Sequence, residues 1–467
     1  MEDVGQPPVP AAELPTATSP ARRSIFGPFV SVQVNVGAGG LNVVGDAANE
    51  PSLAVSRLDR GRIAVGWRQF DSIASDFRQA GVNVSLDGGR SWEVKSVLGP
   101  GIFGSDPVLA AAADGTILYS SLHTSPNYST SVYRSLDDLA TWTTDVYSYG
   151  GDKQWLAVDT RQGQGRGHVY QAWDYANCCG ANWFNRSIDV GATWAPPVPL
   201  LGDPYWGTLA IAPDGGLWVA GTLDGWATFR AAHSGNASNP EATPTFDRYV
   251  DFDLGGNLVF NSGTGPNPGG LLAQVWIAID RSDGPRRGWI FVLATVDPPG
   301  MDPNDVHLIR STDDGATWSS PVRVNDDAAG NGAWQWFGTL AIAPDGRLDA
   351  VWNDTRNHPG SVVSELFHAS SDDGGVTWTP NTQVSQPFDP LVGWPQQNKI
   401  GDYSGMVSDR VGADVVYAAT FNGEQDVYYL RLGDRDCNDN GVGDACGGLF
   451  ADGFESGDTT SWSFSVP

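Results

Sequence analysis

Short apolar runs recur along the chain at 63–67, 117–122, 169–173, 217–222, 289–295, 348–352 and 415–420, each bounded by turn residues. Runs of this length, apolar on consecutive positions, fit strands buried on both faces. A strand of small apolar residues and a turn, often Asp-Gly as at Asp114-Gly115 and Asp345-Gly346, precedes each one. Few long helical patterns interrupt the series. The spacing predicts seven similar units, and therefore a repeat architecture made of strands. The seventh unit (403–406, 415–420, 426–432) has only three strands, while a free strand stands near the N-terminus at 29–36. A ring of sheets closes without an exposed edge when such a leading strand completes the last sheet.

A second pattern lies on this one. The phrase Ser-x-Asp-x-Gly-x-Thr/Ser-Trp occurs at 85–92, 187–194, 311–318 and 371–378, and a worn copy runs over 135–142 with Leu139 in the glycine place. The central aspartates are separated by 50 (137 − 87), 52 (189 − 137), 124 (313 − 189) and 60 (373 − 313) residues. The long gap hides one unit without a copy, that of the run at 217–222. Physically the phrase is a hairpin turn: a carboxylate that accepts nearby backbone N–H groups, a glycine that tolerates positive φ, and a Trp that enters the next strand. It resembles the Asp-box, or bacterial neuraminidase repeat, of sialidases and related β-propellers. The resemblance implies an all-β, seven-bladed β-propeller closed by its N-terminal strand. Sialidases have six blades, so a six-bladed ring with one inserted unit stays open as the alternative. In Asp-box proteins the boxes lie on the face away from the active site, so they mark architecture rather than chemistry.

Composition narrows the partners. The balance of 27 basic against 54 acidic residues gives a formal net charge of −27, a surface that repels nucleic acid and anionic membranes. No apolar stretch is long enough to span a membrane. The start, Met1-Glu2-Asp3, has no apolar leader segment. The expected organisation is a Pro/Ala-rich disordered head over 1–24, the propeller over 25–433, an acidic loop over 434–447 and a tail over 448–467. In the acidic loop Asp434, Asp436, Asn438, Asn440 and Asp444 place oxygen side chains mostly on alternate residues around Gly441, as a calcium loop does. The glutamate that would end an EF-hand loop is replaced by Gly447. The segment resembles thrombospondin type 3 calcium repeats; a metal-free acidic loop is the other reading. Cys437 and Cys446 flank it as a candidate disulfide, which favours an oxidising, secreted or cell-surface setting. Cys178 and Cys179 are adjacent and form either a vicinal bridge or two thiols.

The sialidase resemblance also implies site residues. Tyr403, in Asp402-Tyr403-Ser404, resembles the tyrosine nucleophile, and Asp76, after Ser75, resembles the acid/base. Arg68 and Arg356 would bind a substrate carboxylate. A tyrosine suits an anomeric centre that already bears a carboxylate, since a neutral attacker avoids repulsion. One piece departs from that pattern: where the family has an arginine in Arg-Ile-Pro, this chain has Asn49-Glu50-Pro51. Glu50, Trp155, Trp206 and Trp336 fall at the predicted channel mouth, where carboxylates grip sugar hydroxyls and rings stack on apolar sugar faces. Structural readings stand beside these: a tyrosine bonded to a neighbour, a solvated aspartate, an arginine paired with an acid, and tryptophans packed between blades. The expected function is a glycoside hydrolase acting on glycans, possible for sialic acid, by an extracellular monomer. The alternative is a non-catalytic propeller that binds glycan or protein.

Overall fold

A computed structural model describes residues 6–124, 127–260, 263–436 and 443. The chain forms seven antiparallel sheets in sequence order around a central channel. Blade 1 is Ala47–Val55, Ile63–Phe70, Arg78–Ser85 and Ser96–Leu98, ordered from the channel outward. Blades 2 to 6 follow this plan, blade 3 with three strands and a single outer bridge from Phe184 to Val198, and their second strands are Ile117–His123, Val169–Ala172, Leu217–Thr222, Ile290–Asp297 and Leu348–Asp354. These are the apolar runs of the sequence, and apart from His123 and Asp297 at two strand ends every residue in them is buried. Blade 7 starts with Gly405–Ser408, Gly412–Ala419 and Asp426–Gly433. The N-terminal strand Phe29–Gln33 completes it, pairing Ser31 with Leu430, and Arg23–Phe26 adds a fifth strand outside. The ring is therefore seven-bladed and closed by its own leading segment.

Thr18–Pro20 pairs with Leu41–Val43, because Asn42 donates to the Ser19 hydroxyl (3.1 Å) and to Glu424 (2.8 Å) and so fixes both segments to blade 7. Of the tail, Asp434 and Asp436 are described. Asn438, Asn440, Asp444 and the pair Cys437 and Cys446 lie outside the described residues. Cys178 and Cys179 are joined as a vicinal disulfide.

Each box closes the hairpin between the third and fourth strands. In the last one Thr377 donates its amide and hydroxyl to Asp373 (2.9 and 2.6 Å), Ser371 donates its hydroxyl to Asp373 (2.9 Å), and the Gly375 amide donates to Ser371 (2.9 Å). The worn copy keeps this geometry: Leu139 adopts the glycine's left-handed φ of 70°. A sixth, altered box occupies the gap. Ser234 donates to Asn236, which accepts from the Thr245 amide, so an asparagine does the aspartate's work in blade 4. The box tryptophans wedge toward the preceding blade, Trp318 on Phe252 (4.7 Å) and Trp92 on Tyr429 (5.5 Å).

Partial burial works against the charge of Asp373, but the hydrogen bonds from Thr377 and Ser371 hold its carboxyl down at about 2. A depressed carboxyl contributes stability that is complete above the unfolded pKa of ~4 and lost as pH falls through the folded value. Asp373→Asn is therefore expected to be less stable than the wild type at neutral pH, with the gap shrinking between pH ~4 and ~2. Urea titrations across that range check it; a gap independent of pH would place the effect outside the charge.

Candidate functional site

The inner strands carry a repeated irregularity at their starts. In blades 1, 2 and 6 the register with the second strand slips there. Glu50, Asp106, Lys153, Trp206 and Phe337 take left-handed φ values between 46° and 59° at this point. Left-handed backbone costs a residue with a side chain about 1–3 kcal/mol, so it persists where surrounding contacts fix it. Here it turns Glu50, Asp106 and Lys153, from blades 1 to 3, toward one spot, as a bulge does.

Three cations and three carboxylates meet at that spot. Lys153 Nζ lies 2.6 Å from Asp402 and 3.2 Å from Asp106. Lys399 Nζ lies 2.7 Å from Asp402 and 3.3 Å from Glu50, and Arg68 reaches Glu50 at 3.2 Å. Blades 1, 2, 3 and 7 are thereby tied across the axis. Burial opposes ionisation of Asp402 and Asp106, but Lys153 holds both carboxyls below the usual range. Burial pushes Glu50 up to about 7 against the pull of Arg68, Lys153 and Lys399.

The cluster is covered. Asn267 donates to the Gly401 carbonyl (2.8 Å), the Gly269 amide to the Asn398 carbonyl (2.7 Å), and the Leu271 amide to Asp402 (2.9 Å). A segment leading into blade 5 thus straps down the loop leading into blade 7. Gly401 suits this closeness, since a Cβ there would stand 2.7 Å from Glu50 Cγ.

The residues named from sequence fall in three groups. Glu50, Arg68 and Tyr403 belong to the sealed cluster. Arg68 also donates to Asn49 (2.8 Å) and is fully buried. Tyr403 donates its hydroxyl to the Pro107 carbonyl (3.1 Å), bracing blade 7 on blade 2, and burial followed by the Glu50 and Asp106 charges pushes it far above an ordinary phenol. Trp155 packs edge-on between Tyr403 (5.4 Å) and Trp276 (5.1 Å), and fully buried Trp336 donates to Ser364 (3.0 Å). Asp76 and Arg356 have other partners. Asp76 is half-buried and accepts from the Gln6 amide (2.6 Å); Arg356 is held by Asp354 (2.8 Å), Asp326 (2.6 Å) and Asn381 (3.0 Å).

Trp206 leads to a different, partly open surface on the same face. Its indole donates to Asp174 (3.1 Å), whose other oxygen accepts from the Ala176 amide (2.7 Å). Burial pushes Asp174 up to about 7 despite these bonds. Behind and beside it rings accumulate: Trp206 stacks on Trp226 at 4.4 Å and on Phe260 at 4.8 Å, and Tyr205 stands edge-on to Tyr175 at 5.8 Å. Tyr205 donates to Asp224 (2.8 Å). Trp206 itself is buried, whereas Tyr175 is 49% and Phe260 42% exposed. The neighbouring turn holds the Cys178–Cys179 disulfide, with Asn177 donating to the Asp174 carbonyl (2.9 Å). Trp226, Phe260 and Asp224 were not singled out in the sequence. The usable signal is that Asp224 and Trp226 sit in the loop just after the apolar run at 217–222, the class of loop that points to this face.

No protein-family model matches the chain, and no curated protein matches it. Solved structures do. A fungal alcohol oxidase in complex with copper, of the AA5 family, aligns at 12% identity over 90% of this chain and 79% of its own, with a TM-score of 0.50. A protein of unknown function from Dyadobacter fermentans aligns at 13% identity over 88% of this chain and 100% of its own, with a TM-score of 0.46. The Hadza microbial sialidase Hz136 aligns at 14% identity over 83% of this chain and 66% of its own, with a TM-score of 0.40. At such identities the likeness concerns the fold, which hosts unlike chemistries. Among the described residues no group of three or more His, Cys, Asp or Glu could hold a metal ion, and no helix is long and apolar enough to cross a membrane.

Proposed function

We propose that this propeller is a glycan-recognition protein that takes saccharide on the face away from the Asp boxes, at the surface formed by Tyr175, Trp226 and Phe260 with Asp224, while buried Asp174 holds Trp206 in place behind it. The supporting observation is the ring wall beside the exposed carboxyl group of Asp224. Aromatic faces take the apolar side of a pyranose, and carboxylates accept its hydroxyls. The structural neighbours include proteins described as sialidases and a polysaccharide lyase, a setting consistent with glycan as the ligand class.

Recognition without sialidase-type hydrolysis is the favoured form. Tyr403 is bonded to a backbone carbonyl, Arg68 is closed in by Glu50 and Asn49, and Arg356 is engaged by three partners. Hydrolysis through Tyr403 with Asp76 as acid is the second reading, resting on the sequence resemblance at Tyr403 and Asp76. A saccharide binding array together with fluorogenic glycosides, run on wild type and Tyr403→Phe, separates the two. The expected result is saccharide binding that survives Tyr403→Phe, with a stability loss of about 1 kcal/mol for the missing hydrogen bond. Turnover of a sialoside abolished by Tyr403→Phe would establish the second reading, and no binding to any saccharide would end the first.

A further inference from the structure

The channel has a second end, and it is open. The inner strands run from the sealed charge cluster toward the Asp-box side: the turn after the first strand lies beside the box, where the Gly88 amide donates to the Gly61 carbonyl at 2.8 Å. A cavity of about 730 Å³ occupies this end. Its lining includes the edge-to-face pair Trp155 and Trp276, which Tyr403 backs from the cluster side. Aliphatic inner-strand residues such as Ile277 and Leu340 form its walls. Arg57, Arg161, Arg281 and Arg287 line it as well, and among the described lining residues none is an aspartate or glutamate. Four arginines without an acidic lining residue are unexpected in a chain with 54 acidic and 27 basic residues.

These arginines come from one place in the repeat. Where the inner strand ends, the amides of Ser56 and Asp280 make the last bond to the second-strand side (2.9 and 3.0 Å), and the residue that follows is Arg57 in blade 1 and Arg281 in blade 5. In blade 3 the arginine comes one residue later, as Arg161. Blades 4 and 6 place Pro213 and Pro344 at the position and leave room. Arg161 is braced by Asp159 (2.6 Å). Arg281 donates to the Thr160 hydroxyl (3.3 Å) and has no carboxylate partner among the described residues. Arg287 donates to the Arg281 carbonyl (2.8 Å) and pairs with exposed Asp283 (3.3 Å). Burial pushes the Arg281 guanidinium down; Asp159 pulls it back up, and Arg161 and Arg287 add smaller downward pushes.

We infer that this cavity binds a small organic polyanion, with carboxylate groups on the arginine rim and a flat or apolar carbon body against the Trp155–Trp276 floor. Guanidinium forks match carboxylate oxygen pairs. The volume is that of an ordinary small-molecule site. Indole faces and aliphatic walls give the carbon body a surface that an inorganic anion leaves unused.

Calorimetric titration of the whole chain with trimesate, citrate and inorganic phosphate tests this. Trimesate is expected to bind more tightly than citrate, and citrate more tightly than phosphate, each weakening as sodium chloride is raised. Arg57→Gln with Arg281→Gln is expected to lose about tenfold per charge removed while the ligand-free melting temperature holds. Arg57 is exposed, so Arg57→Gln alone serves if the double variant does not fold. Saturable binding absent from the wild type at millimolar ligand overturns the inference. So does equal affinity for phosphate and trimesate, or an affinity unchanged in the folded variants. The site lies at the end opposite the ring wall, so Trp226→Ala should leave it intact and the two readings fail separately.

Discussion

Lys153→Ala is expected to lower the unfolding free energy by about 3–5 kcal/mol, the range for removing one partner of a buried ion pair. Lys153 stands between Asp106 and Asp402, and its loss leaves two carboxylates buried face to face with less positive charge between them. Lys399 still holds Asp402 at 2.7 Å, and Arg68 and Lys399 still favour the Asp106 charge, but Lys153 is its strongest cation. A urea titration reads the loss. The sharper measurement is recovery: Lys153→Met combined with Asp106→Asn and Asp402→Asn removes the stranded charges, and neutral replacements of buried ion networks are often as stable as the original. Recovery of most of the lost stability would assign the effect to charge. A triple variant as unstable as Lys153→Ala would assign it to shape, and the cluster would then be a packing device.

Trp226→Ala is expected to weaken saccharide binding by about 2 kcal/mol, or roughly thirtyfold, the scale of a central aromatic anchor. The ring is half-buried and near-parallel to both Trp206 and Phe260 (interplanar angles of 10° and 20°), so its removal also takes support from its neighbours. Tyr175→Ala, at the exposed end of the wall, should weaken binding less and leave the melting temperature unchanged. Equal affinity for wild type and both variants, measured with whichever saccharide the array returns, would remove this surface from the proposal.

How much of this was readable in the sequence follows from how local each feature is. The seven second strands announce themselves because full burial demands consecutive apolar residues, and the boxes because one turn needs one set of residues in order. The closing strand was legible by arithmetic, three strands at one end and one spare at the other. The blade 4 box was missed because Asn236 replaces aspartate, a change that keeps the acceptor oxygen but breaks the pattern. The charge cluster was visible only as single residues. Lys153 and Asp402 are 249 positions apart, and nothing local to either says that they meet. The strap over the cluster was invisible for the same reason: Asn267 and Gly401 are 134 residues apart and bond through backbone oxygen, which leaves no mark on residue choice. The consequence for the site is direct. Glu50, Arg68 and Tyr403 gather at one end of the channel, and whether that end admits a ligand depends on contacts that no motif records.

The pairing of Ser31 with Leu430 sets an order on biosynthesis. The two positions are 399 residues apart (430 − 31). At ~5–20 residues per second, the earlier strand leaves the ribosome ~20–80 s before its partner exists. During that wait the nascent protein is an incomplete arc with two unsatisfied ends, each able to recruit a neighbouring polypeptide. Whatever shields those ends in the cell governs yield, and translation halted anywhere before residue 426 leaves a product that no later event can seal.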